Sequence, residues 1–70
     1  MRHLLKYKLL GGHVHVQFFQ STMGENWEKN GELIFDEPGW DSLKGYLISG
    51  DMTDFDEKPS EDGWTRLILS

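Results

Sequence analysis

The chain has 70 residues, no cysteine and a formal net charge of −5. That length makes one domain, 1–70, because half of it would fall below the ~40 residues at which disulfides or metals usually become necessary. The missing cysteines exclude disulfides, zinc–thiolate sites and thiol nucleophiles, and no stretch approaches the ~20 apolar residues that cross a bilayer.

At the N-terminus, Met1-Arg2-His3-Leu4-Leu5 opens like a signal peptide, but Lys6 and Lys8 break the apolar run. The expected location is therefore the cytoplasm. Leu5, Tyr7 and Leu9 then alternate with Lys6 and Lys8, the pattern of a half-buried strand. Val14, Val16 and Phe18 alternate with His13, His15 and Gln17 in a second strand. Apolar parity switches from odd to even across Gly11-Gly12, which fits a two-residue hairpin turn or a bulge in one long strand; the hairpin is preferred.

The next segment, 20–30, is polar and glycine-rich, with Trp27 inside it. Asn30-Gly31 predicts a tight turn into a third strand, Glu32-Leu33-Ile34-Phe35, paired with the second through a long tip. Asp36-Glu37-Pro38 predicts a helix start: an N-cap carboxylate, an acid in the first turn and an early proline. Trp40, Leu43 and Leu47 follow at helical spacing with Tyr46 beside them, and Gly50 is a natural stop. Gly39 and Gly45 each cost such a helix roughly 1 kcal/mol relative to alanine, so packing must hold it. An acidic loop is expected at 51–63, and a last strand at 64–69, where Trp64, Arg66 and Ile68 alternate with Thr65, Leu67 and Leu69. The expected fold is α+β: a small antiparallel sheet of about four strands, β-β-β-α-β, with one helix packed on one face.

His13 and His15 share a strand face about 7 Å apart. They could ligate a metal if a third ligand joined them, but they equally suit the wet side of an amphipathic strand, so no cofactor is assigned. An EF-hand loop fails in both registers: from Asp51, Phe55 falls at the fifth position, and from Asp54, Lys58 does. The chain has neither a Gly-x-Ser-x-Gly elbow nor a phosphate-binding Gly-x-x-x-x-Gly-Lys-Ser/Thr loop. A non-enzymatic protein is expected.

Charge is distributed unevenly. Residues 1–20 hold Arg2, Lys6 and Lys8 with no acid, whereas the remainder is strongly acidic. A field of that sign disfavours nucleic acid and favours a protein partner with a basic surface. Phe19, Met23 and Trp27 are candidate interface anchors, with Asp54, Asp56, Glu57, Glu61 and Asp62 as the charged surface. A small-ligand or metal site on the His13/His15 face is the alternative. Single-stranded nucleic-acid binding, with bases stacked on an exposed ring such as Phe19 beside the basic N-terminal segment, is a further one. Homo-oligomerisation would add burial to so small a domain.

The segment Tyr7-Lys8-Leu9-Leu10-Gly11-Gly12-His13-Val14-His15-Val16, continued by Gly31-Glu32-Leu33 and Trp40, resembles small uncharacterised proteins encoded by bacterial phages and prophages. The likeness covers residues 5–47. It implies an accessory phage protein that binds and inhibits a host or defence protein, in an anti-CRISPR-like role, by steric or acidic occlusion.

Overall fold

The computed structural model describes residues 2–24, 26–50 and 54–69. It contains strands β1 (Arg2–Leu10), β2 (His13–Ser21) and β3 (Glu28–Asp36), helix α1 (Glu37–Ile48), and strands β4 (Phe55–Pro59) and β5 (Thr65–Leu69). All neighbours pair antiparallel, in the spatial order β3-β2-β1-β5-β4. The α+β class holds, but the sheet has five strands where four were expected.

The parity switch is met by a hairpin turn, not a bulge. Gly11 and Gly12 take φ of +61° and +79°, which a mirror-image two-residue turn needs and glycine adopts without a Cβ penalty. The register Leu9↔Val14 and Tyr7↔Val16 then puts odd residues of β1 beside even residues of β2. Asp36 caps helix α1 as expected, its carboxylate accepting from the Gly39 amide at 2.7 Å; the C-cap is Ser49, whose amide donates to Gly45 O at 3.1 Å, and Gly50 does not adopt the positive φ of a glycine stop. Trp40, the helix's buried anchor at 4% exposure, packs against Tyr7 and Phe35 with ring centroids 4.8 Å and 6.1 Å away. Leu5, Val14, Val16, Leu67 and Leu69 complete this core, with Leu43 and Leu47 against it. Tyr46, by contrast, points to solvent.

Two expectations are corrected. Asn30-Gly31 is not a turn but lies inside β3, where Gly31 pairs with Phe18 and the register shifts between Phe18 and Phe19. The glycine leaves room opposite a large ring at a bulge, one of the uses of glycine in strands; the chain instead reverses between β2 and β3. The acidic segment 51–63 is not wholly loop, because Phe55–Pro59 is β4, the outer strand beside β5; residues 51–53 lie outside the described set. Every residue of β4 is exposed. Charge and proline are what edge strands carry against unwanted pairing, so its composition reads as loop. β5 begins at Thr65, one residue later than the alternation suggests.

Candidate binding surface

Since α1 covers one face of the sheet, the other is open, and among the described residues no helix or strand crosses it. Strand pairing decides which side chains share this open face. One rung runs Lys58–Arg66–Lys6–Gln17–Glu32 across β4, β5, β1, β2 and β3. Strands lie about 4.8 Å apart, so its three cations fall within about 10 Å. The neighbouring rung, Asp56–Ile68–Leu4–Phe19–Lys29, is apolar at its centre. Leu4 is 2% exposed although it points away from the main core, so this face holds a small second cluster.

Six of the seven Lys and Arg residues lie on this side: Arg2, Lys6, Lys8, Lys29, Lys58 and Arg66. Three of them sit over aromatic rings. Arg2 is 5.4 Å from the Trp27 centroid, Lys6 is 5.8 Å from Phe19 and Lys8 is 5.9 Å from Trp64. Trp64 is fixed by the β4–β5 turn, where its amide donates to the Asp62 carboxylate at 3.1 Å and its carbonyl accepts from the Ser60 hydroxyl at 2.7 Å. The acids on the face stand at its margins. Glu32 accepts from Lys29 at 3.0 Å, and that bond, with one from Gln17, holds its carboxyl below the usual range. Asp56 lies 3.7 Å from Lys58, and Asp36 is committed to the helix cap. Across β2, β1 and β5 the face has no acid. Two buried donors, Arg66 Nε and Trp27 Nε1, make no hydrogen bond in the structure.

On the helix side, Tyr7, Lys44 and Glu57 form a bonded trio. Glu57 Oε2 accepts from the Tyr7 hydroxyl and lies 2.6 Å from Lys44 Nζ, which also donates to Tyr7 at 3.2 Å. Burial pushes the Glu57 carboxyl up, but Lys44 and Tyr7 together pull it further down, leaving it below the usual range. Burial, then donation to Glu57, raises the Tyr7 hydroxyl; the bond to Glu57 raises Lys44. A cavity of about 330 Å³ beside the trio is lined by Tyr7, Lys8, Trp40, Asp41, Lys44 and other residues. The three groups satisfy one another and tie edge strand β4 to β1 and α1. That is a clasp, and proton transfer to a substrate would break it.

The residues singled out from sequence divide between these features. Phe19 and Trp27 are both half-buried on the open face, whereas Met23, 77% exposed, stands in the turn that follows β2. Ser21 braces that turn, its hydroxyl within 3.2 Å and 3.0 Å of the Met23 and Gly24 carbonyls. The acidic set is not one surface: Asp56 is on the open face, Glu57 on the helix side, Asp54 ahead of β4, and Glu61 and Asp62 in the β4–β5 turn. His13 and His15 do share the open face, His13 Nδ1 lying 3.2 Å from Gly11 O, but His3 falls on the opposite face. Among the described residues no three His, Cys, Asp or Glu side chains are grouped to hold a metal. Sequence reading missed the alignment of Lys6, Lys58 and Arg66. Alternation in each strand does signal the side of Lys6 and Arg66, but not which strands adjoin.

No protein family matches the chain, and comparison with curated proteins and with solved structures returns no match.

Proposed function

We propose that the protein is a non-enzymatic binding module whose working surface is the open face of the sheet and whose partner is polyanionic. The observation that carries this reading is the Lys58–Arg66–Lys6 rung. Like charges directly opposite on adjacent strands are destabilising, and the Lys58–Asp56 ion pair at 3.7 Å and the Lys6 contact with the Phe19 ring offset this only in part. An anionic partner turns that repulsion into attraction. Arg66 adds to the case, because phosphate and carboxylate oxygens are what guanidinium groups take best. The diverging acids offer a basic partner no comparable array, and Glu57 is already engaged.

Heparin affinity chromatography at low salt tests the reading. The wild type is expected to be retained despite its net charge of −5, and a Lys6→Gln/Arg66→Gln variant, shown folded by circular dichroism, to pass through. A wild type that flows through at low ionic strength would end the proposal.

A further inference from the structure

Resting on that reading, we infer that the polyanion is a single-stranded nucleic acid, laid along β1 with its phosphates on Lys6, Lys8 and Arg66 and its bases on Phe19, Trp27 and Trp64. Cations alone would suit any polyanion; the rings narrow the choice. Each of the three aromatics on the open face has a cation within 5.4 to 5.9 Å of its centroid. Basic groups interleaved with aromatic faces on an open sheet are how single strands are held without sequence preference. From Arg2 to Lys8 the strand advances about 20 Å, so the rings lie along a track several nucleotides long.

The cations that cover the rings do not block this mode. A base stacked on a ring outweighs an exposed cation–π contact, so a lysine that swings off its ring reaches a phosphate and uncovers a stacking face in one movement. Lys6 over Phe19 and Lys8 over Trp64 have flexible four-carbon stems suited to it. A duplex offers phosphates but buries its base faces, and among the described residues no helix or hairpin projects from the face to enter a groove. An acidic polypeptide would use the cations and leave the rings idle.

The test uses the full chain, a fluorescein-labelled 12-nucleotide oligothymidine, its duplex with oligoadenine, polyglutamate and inorganic polyphosphate. Anisotropy is expected to show the single strand bound at least ten-fold tighter than duplex or polyglutamate, with tryptophan emission quenched by the oligonucleotide and not by polyphosphate. Phe19→Leu and Trp64→Leu, which retain an apolar side chain, are each expected to weaken oligonucleotide binding by roughly ten-fold while leaving polyphosphate binding unchanged. Equal affinity for duplex or polyglutamate, or leucine variants that bind the oligonucleotide like wild type, would overturn the single-strand assignment and leave the anion-binding reading standing. Failure to bind polyphosphate or any other arm would overturn both.

Discussion

Arg66 stands directly between Lys58 and Lys6 in the sheet, and replacing it with methionine separates what the fold needs from what the surface offers a partner. Methionine keeps the length and apolar character of the arginine stem over the second cluster while deleting the charge and the buried Nε that has no acceptor. Opposed like charges destabilise a strand pair by roughly 0.2–1 kcal/mol. Two such contacts disappear, although Lys58, with 75% of its side chain exposed, contributes the smaller share through solvent screening. Relief of the unpaired donor adds about 1 kcal/mol or more. The variant is therefore expected to be more stable by about 1–2 kcal/mol, and each kcal/mol raises Tm by about 4–8 °C in a domain of this size. Thermal unfolding followed by circular dichroism reads this at low and at 1 M salt. The charge-derived part should shrink as the Debye length contracts to about 3 Å, while the part due to Nε persists. Oligonucleotide affinity should meanwhile fall, and its log–log salt slope should become shallower by about 0.7, the value for one lost phosphate contact on a single strand. A lower Tm at both salt concentrations would make Arg66 a structural residue and refute the argument built on the rung.

Glu57→Gln removes the charge that Tyr7 and Lys44 share and is expected to lower stability by about 1–2 kcal/mol in urea unfolding. Wild-type stability from this trio should be fully present above the unfolded Glu57 value near 4.5 and be lost as pH falls through its lower folded value. It should also fall at alkaline pH, because the Tyr7 and Lys44 contributions are present below 10.0 and 10.5 and vanish as pH rises through their higher folded values; the variant should show a flatter acid limb. Asp36→Ala deletes the N-cap that accepts from Gly39 and should cost about 1 kcal/mol, read as a lower denaturation midpoint with reduced helical ellipticity. Gly12→Ala, at φ +79° with open space around the new Cβ, should cost about 1 kcal/mol from backbone strain alone, and Gly12→Asn less, in the same unfolding assay.

Sequence reading served where a residue's neighbours in the chain decide its conformation. The parity change across Gly11-Gly12 signals a hairpin turn or a bulge, because one apolar face must stay continuous, and the positive φ of both glycines shows the hairpin. Asp36, Glu37 and Pro38 mark the helix start through interactions confined to one turn, and Trp40, Leu43 and Leu47 show its buried side. β4 escaped because an edge strand with every residue exposed needs no apolar alternation, so Phe55–Pro59 looks like its flanks. Gly31 misled for the converse reason: Asn-Gly is a hairpin signal only if the strand stops there, and pairing with Phe18 across a bulge carries β3 through it. The candidate surface was less legible still. Lys6 and Arg66 are 60 residues apart in the numbering and become rung partners only because β5 returns to the middle of the sheet beside β1.

That topology also changes what the net charge means. A value of −5 over 70 residues predicts repulsion of phosphate only if the charge is smeared evenly, and here six of the seven cations gather on the open face, whose own acids, Glu32, Asp36 and Asp56, stand on its edge strands. Glu37 and Asp41 belong to the helix, and Glu57 is clasped beneath it. A sheet and the layer packed on it are separated by about 10 Å, which matches or exceeds the Debye length of about 8 Å at physiological ionic strength. An anion at the open face is therefore governed by Lys6, Lys8 and Arg66 within a few ångströms, while the helix-side acids are largely screened. At low ionic strength the Debye length grows to about 30 Å and those acids are felt again. Affinity for a polyanion should therefore climb less steeply below about 50 mM salt than counterion release alone requires. Neutralising the far-side acids by Glu37→Gln and Asp41→Asn should restore the linear rise, and a plot already straight in the wild type would show that the two faces do not act as separate fields.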